Sequence, residues 1–225
     1  MQNNLREVLV TPTDAMASSA SSLEEIAAQA RASVAEVLAV YAAHGASDYI
    51  GEPVSSVEHA EQAAAAAAAA AQPEAVVAGA LLHDLGHLLG LAEPEKHARM
   101  ADCGVMCHEG VGAAFLERRC FPRATVALVR DHVQAKRYLT WKDPGYMARL
   151  SAASRTTLGF QGGPMSDAEA RDFEADPGHA LVLLMRTFDE AAKVPGAAVP
   201  RLESYRPMLE ALVAGALAEK RAASA

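Results

Sequence analysis

Apolar residues recur along this chain at three- and four-residue steps, the period at which one face of an α-helix meets a core. Ile26, Ala30, Val34, Val37 and Tyr41 form the first such stripe, opened by Ser22-Leu23-Glu24-Glu25 at capping-box spacing and stopped by Gly45. The segment from Asp48 to Val54 holds Gly51 and Pro53 and reads as a loop. A second capping box, Ser55 with Glu58, launches a helix through an alanine tract to Gln72, with His59 in its first turn. Pro73 separates it from a continuous helix predicted over 74–90.

Beyond an acidic, irregular stretch at 91–103, helical patterns follow at 105–119 and 124–139, with Pro122 suited to a first helical position. Asp143-Pro144 starts a short helix leading into Ser151–Arg155, and Gln161-Gly162-Gly163-Pro164-Met165 reads as a turn. Ser166 and Glu169 make a third capping box, and a further helix is predicted over 178–192. The last helix, amphipathic through Leu209, Leu212, Val213 and Leu217, runs to about Lys220. Runs of alternating β-branched residues are missing. The expectation is an all-α helical bundle: one domain over residues 22–225, preceded by a loosely ordered, polar extension at residues 1–21.

Composition changes this picture little. The chain has 225 residues, enough for one helical domain with a proper core, and its 51% hydrophobic share is swollen by alanine, which suits closely packed helices. The net charge of −8 carries no basic cluster, which argues against nucleic acid or an anionic membrane as the main partner. The alanine tract 63–71 is too short to span a bilayer, and the N-terminus lacks the basic and apolar regions of a signal peptide. Three cysteines, an odd number in a chain this large, suggest reduced thiols and a cytoplasmic setting. Cys103 and Cys107 lie one turn apart, which raises a thiolate zinc site; core packing is the preferred role for both.

The candidate chemistry centres on Leu81-Leu82-His83-Asp84-Leu85-Gly86-His87-Leu88-Leu89. A carboxylate in a buried apolar run costs many kcal/mol unless a cation or strong donors meet it, so a metal ion explains Asp84 economically. For the His83–Asp84 pair alone, a satisfied core histidine beside a solvent-facing Asp is the plainer alternative. His59, His108, His132 and Asp189 shift the balance, because converging helices bearing imidazole and carboxylate groups are a common way to hold metals in a bundle core. Four imidazoles and two carboxylates exceed what one catalytic zinc needs and suit a pair of borderline metals such as iron, manganese or zinc. Lys136 lies four residues after His132 on the same helix face. His97 and His179 read as surface residues.

The order His59, His83-Asp84, His108, His132, Asp189 resembles the HD superfamily of all-helical metalloproteins. More narrowly, Tyr49-Ile50-Gly51-Glu52-Pro53-Val54-Ser55, His132-Val133-Gln134-Ala135-Lys136-Arg137-Tyr138-Leu139, Gln161-Gly162-Gly163-Pro164-Met165 and Phe188-Asp189-Glu190-Ala191-Ala192-Lys193 are similar to the mixed-valent diiron oxygenases that cleave the carbon–phosphorus bond of 1-hydroxyphosphonates. The resemblance covers about residues 40–210.

It implies a dinuclear centre with His59, His83 and Asp189 on one iron, His108 and His132 on the other, and Asp84 bridging a ferrous and a ferric ion. It further implies Tyr49 and Glu52 over the open face of the second iron, with Glu52 able to meet a substrate amine. His87 and Lys136 would contact the phosphonate, supported by Ser154, Gln161 and Arg186. The implied reaction uses O2 to convert a small organophosphonate, such as 2-amino-1-hydroxyethylphosphonate or an N-methylated relative, to inorganic phosphate and a carboxylic acid such as glycine. Phe188 stands where this subgroup commonly carries Trp, which bears on the size and methylation of the amine. A metal-dependent HD phosphohydrolase of nucleotides or phosphate esters is the alternative enzyme, and a helical scaffold with a vestigial metal site is the non-catalytic one. Oligomeric state is not legible.

Overall fold

The computed structural model describes residues 12–224 except 50 and 102, with side chains from residue 22 onward. The described residues form eleven α-helices and two short 3-10 turns, and their only β pairing is two isolated bridges, Asp48 with Ser55 and Arg99 with Val105. The all-α expectation therefore holds.

The first helix, α1 (Pro12–His44), begins ten residues before the expected start, so Ser22 lies inside it and caps nothing. Pro12 at the first position and the alanines that follow favour helix from there on. Residues 1–11 of the expected extension lie outside the described residues. The stretch Ser22–His44 has the length and apolarity to cross a membrane. Its apolar stripe of Ile26, Ala30, Val34, Val37 and Leu38 is buried in the protein core, where α1 packs on α11 (Arg206–Ala222).

Helix α2 (Ser56–Ala69) starts with the reciprocal Ser55–Glu58 capping box that the sequence predicts. The expected helix 74–90 is two helices, α3 (Glu74–Leu82) and α4 (Leu85–Ala92), bent by 42° at His83-Asp84. No Gly or Pro marks this break. One long-range and one local bond hold it: the Tyr41 hydroxyl donates to the Leu81 carbonyl at 2.8 Å, and the His83 ring takes up the Ala80 carbonyl at 2.9 Å. Both carbonyls belong to the last turn of α3, where the ladder leaves them without helical partners. Side chains of adjacent helical residues point about 100° apart; the bend is what brings His83 and Asp84 to one point.

Helix α5 (His108–Arg118) begins three residues later than expected, because Cys107 adopts a left-handed conformation with φ +56°. Cys107 is exposed and Cys103 half-buried, so core packing is not their role; all three cysteines are free thiols. Helices α4 and α5 touch backbone to backbone. A Cβ at Gly86 would stand 1.9 Å from the His108 carbonyl oxygen, so only glycine fits there.

Helix α6 (Arg123–Lys142) runs through the centre, with Pro122 just outside it as the cap residue, and packs on α3 and α5. The expected short helix after Asp143 is two, α7 (Tyr146–Arg149) and α8 (Ala152–Phe160), the second capped by the Ser151 hydroxyl. Helix α9 (Asp167–Ala175) carries the predicted Ser166–Glu169 box, and α10 (His179–Ala191) packs on α2 and α6. The loop from 192 to 202 is pinned by α2. Gln62 bonds both the N–H and the carbonyl of Val194, and buried Glu61 accepts from Leu202 N–H at 2.7 Å.

Candidate functional site

Five helices or helix ends aim polar side chains at one point in an otherwise apolar core. His59 comes from α2, His83 and Asp84 from the bend, His108 from the first turn of α5, His132 from α6 and Asp189 from the last turn of α10. All six residues that the sequence nominates as ligands meet here. The four imidazoles and Asp189 are nearly inaccessible to solvent.

The imidazoles form two pairs. His59 and His83 approach Nε2 to Nε2 at 3.0 Å, and His108 and His132 at 3.1 Å. Asp84 lies between them: its Oδ2 is 3.3 Å from His83 Nε2 and 3.7 Å from His59 Nε2, while its Oδ1 is 3.1 Å from His108 Nε2 and 3.5 Å from His132 Nε2. Asp189 Oδ1 adds a further oxygen 3.6 Å from His59 Nε2.

The far side of each ring fixes what faces inward. His59, His83 and His132 direct Nδ1 at the carbonyls of Ala192, Ala80 and Val129 at 2.8–2.9 Å, so Nδ1–H donates and Nε2 keeps its lone pair. His108 Nδ1 lies 3.3 Å from the Glu109 carboxylate but makes no hydrogen bond to it. Paired lone pairs at this separation repel, and a cation between them removes the conflict. Against burial, the Asp84 carboxylate pushes His83 up to about 9, while burial and the charge on His83 push His59 down to about 4. Nitrogen and carboxylate donors without thiolate form a donor set for one or two borderline cations.

His87 is different. It stacks on His108 with ring centroids 3.8 Å apart, and its oxygen and nitrogen neighbours form a second donor cluster with Asp84 and His108. Its Nδ1, however, accepts from Val105 N–H at 3.1 Å, so the neutral ring carries its proton on Nε2. His87 is therefore a hydrogen-bond donor toward the site rather than a ligand.

A cavity of about 50 Å³ opens beside this centre, and its walls include every predicted substrate contact: Tyr49, Glu52, His87, Lys136, Ser154, Gln161 and Arg186. Lys136 is buried, and its Nζ donates to the Thr157 hydroxyl at 2.9 Å. Burial, helped by the Arg186 charge, lowers its pKa to about 8. Arg186 pairs with Asp189 through Nη1 and with Tyr146 through Nε, leaving buried Nη2 without a partner among the described residues. Burial opposes the ionisation of Asp189, but Arg186 and the nearby histidines hold its carboxyl well below the usual range. Gln161 Oε1 is likewise buried without a partner, whereas Ser154 receives the Ser151 cap through its backbone N–H.

The loop before α2 sits differently from what the sequence suggests. Tyr49 lies flat on the His59 ring, centroids 3.9 Å apart, and its hydroxyl donates to Asp84 Oδ2 at 2.8 Å, on the His59–His83 side of the carboxylate. Burial and the Asp84 charge raise its pKa well above the ordinary tyrosine value. Glu52 Oε1 accepts from Lys193 Nζ at 2.7 Å; burial works against its ionisation, but the bonds from Lys193 and Ser151 keep it below the usual carboxylate range.

Sequence reasoning missed Thr157, Glu109 and the role of Lys193. Thr157 lies one turn after Ser154 on α8, a spacing that could have nominated it. Glu52 and Lys193 are 141 residues apart, and no local pattern links them. His97 and His179 are half-buried and lie outside the site, the latter bonded to the Asp176 carbonyl.

Comparison with known proteins adds two findings. The family model of the HD domain matches residues 53–171. Among curated relatives, the [1-hydroxy-2-(trimethylamino)ethyl]phosphonate dioxygenase (glycine-betaine-forming) of Leisingera caerulea is 37% identical over 174 residues, covering 77% of this chain and 87% of the relative. The hydroxymethylphosphonate dioxygenase of Gimesia maris is 38% identical over 167 residues, covering 74% and 81% respectively. An uncharacterized protein of Acanthamoeba polyphaga mimivirus is 34% identical over 173 residues, covering 77% and 78%.

Proposed function

This chain belongs to the HD-domain family and, within it, to the relatives that include phosphonate dioxygenases; on that premise we propose that it cleaves the carbon–phosphorus bond of a small 1-hydroxyphosphonate with O2. The products are inorganic phosphate and a carboxylic acid, and both atoms of O2 are taken up between them. The substrates of the two named relatives differ only in what the hydroxyl-bearing carbon carries, a trimethylaminomethyl group or hydrogen. 2-Amino-1-hydroxyethylphosphonate and its N-methylated forms fall between them, and glycine or an N-methylated glycine is the corresponding acid.

The observation that carries this reading is a buried ammonium, Lys136, bonded only to a neutral hydroxyl and facing a cavity shared with Asp84. A cation taken out of water needs an anion, and no carboxylate among the described residues meets it. Arg186, whose Nη2 has no partner among the described residues, and His87, whose neutral ring carries its proton on Nε2, line the same cavity as further donors. A phosphonate dianion meets all three demands.

The donors fit two metal ions. His59, His83, Asp189 Oδ1 and Asp84 Oδ2 would hold one, and His108, His132 and Asp84 Oδ1 the other. We read them as a ferrous–ferric iron pair; when bound, it supplies the redox capacity for O2 chemistry and a Lewis acid for the substrate hydroxyl. Around it, Lys136 and Arg186 neutralise the phosphonate, His87 donates through Nε2–H, and Ser154 and Gln161 line the wall. Tyr49 keeps its proton on Oη, shared with Asp84, and screens the His59 side of the centre from water. Glu52 offers the one cavity carboxylate outside the metal-binding set. The free thiols fit a reducing compartment, and we place the enzyme in the cytoplasm.

Metal analysis and electron paramagnetic resonance of protein from iron-rich growth, combined with phosphate release from 1-hydroxyphosphonates, test this reading. Release that requires O2, with a signal from coupled ferrous and ferric ions, supports it. Phosphate-ester hydrolysis that proceeds anaerobically, with no oxygen-dependent release from phosphonates, overturns it in favour of an HD phosphohydrolase.

A further inference from the structure

Glu52 and Lys193 form an ion pair on the wall of the same cavity, with side-chain exposures of 10% and 18%. The loop that carries Lys193 is not free to wander. Its neighbour Val194 is held by Gln62 at both backbone atoms, and Ala192 gives its carbonyl to His59. Lys193 Nζ also stands 5.9 Å from the centre of the Tyr49 ring. A carboxylate beside an aromatic face is a cation-binding corner, and here a tethered ammonium from the protein itself fills it.

We infer that Lys193 is a specificity-determining residue, a resident cation that competes with any ammonium the substrate brings to Glu52. This rests on the hydroxyphosphonate reading above and assigns one further residue to it. With an amine-free substrate, Lys193 stays and Glu52 remains paired, so no buried carboxylate is left without a counter-ion. With an ammonium-bearing substrate, Lys193 is displaced from Glu52, and the affinity gained at that corner is reduced by the pair that is broken. The residue thus narrows the preference between cationic and uncharged hydroxyphosphonates. Its charge also bears on Lys136, whose ionisation it opposes.

The test compares hydroxymethylphosphonate, 2-amino-1-hydroxyethylphosphonate and the N-trimethylated form of the latter on the metal-loaded enzyme. The ratio of kcat/KM for each cationic substrate to that for hydroxymethylphosphonate is read in the wild type, Lys193→Met, Lys193→Gln and Lys193→Arg. Lys193→Met should shift the ratio toward the cations by tenfold or more, and Lys193→Arg should keep it within about twofold of wild type. Lys193→Gln still reaches Glu52 through a neutral amide and should shift the ratio in the same direction, which keeps the test decisive if the Met variant fails to fold. A ratio unmoved in the neutral variants, or equal losses for all three substrates, overturns the inference; equal losses would instead place Lys193 on the phosphonate. Calorimetric binding of the same compounds without O2 gives the same ratio. Wild-type protein that releases no phosphate from any of them refutes the reaction, while the binding ratio still judges Lys193.

Discussion

Lys136 Nζ lies 2.9 Å from Thr157 Oγ1, so a buried ammonium faces the cavity with a hydroxyl as its only bonded partner among the described residues. Its pKa of about 8 is set mainly by burial, which penalises the charged form, and secondarily by Arg186. The charged form is the one that binds a dianion. Free enzyme therefore loses its competent form as pH rises through about 8, and kcat/KM for a hydroxyphosphonate should fall on that alkaline side. Lys136→Met should lower kcat/KM by about 100-fold, in line with roughly 2–3 kcal/mol for a charge-assisted bond, while metal content stays near wild type. A pH–rate profile and metal analysis check both; lost metal would place Lys136 among the supports of the centre.

Among the described residues, Asp84 is the one carboxylate within 4 Å of nitrogens from both histidine pairs. Asp84→Ala should strip the protein of nearly all bound metal. His59→Ala and His132→Ala should each remove about half, because each empties one side of the carboxylate. Metal-to-protein ratios after gel filtration report the result, and a single metal ion lost completely in each of the three variants would mean one site rather than two.

The approach of α4 to α5 depends on Gly86. A Cβ there meets His108 backbone at 1.9 Å, and backbone does not yield as a flexible side chain would. Gly86→Ala should cost about 1–3 kcal/mol, or roughly 2–4 °C of Tm per kcal/mol, and should weaken metal retention because His108 moves with its helix. Thermal melting with metal analysis checks this, and an unchanged Tm would show that the helices can part at no cost.

Glu61 anchors the loop that follows α10. Its buried carboxylate accepts from Leu202 N–H, whereas its pairing with Arg201 involves a mostly exposed guanidinium and contributes little. Glu61→Ala should destabilise the protein by about 1–3 kcal/mol through the buried N–H left unmet. Arg201→Ala should change stability by less than about 1 kcal/mol. Denaturant unfolding distinguishes the two.

Much of this architecture was legible in the sequence. The Ser55 and Ser166 boxes start α2 and α9 because the capping bonds are local, made between residues three apart. His59, His108, His132 and Asp189 converge because each lies on the buried side of its own helix; His83 and Asp84 are brought in by the break between α3 and α4. The bend at His83-Asp84 was not legible, since no proline interrupts the helical pattern from Val76 to Leu89 and the Tyr41 bond at the end of α3 comes from forty residues away. The early start of α1 was hidden by a polar, Ser-rich composition that masks good helix propensity. The Lys193 pairing was not legible, because its partner Glu52 lies 141 residues away in the chain.

The bend has a consequence for how the centre is assembled. Asp84 faces one histidine pair through each of its oxygens, and its orientation is set by the bend and by the Tyr49 hydroxyl. A change that straightened the backbone there would displace donors on both sides at once rather than on one alone.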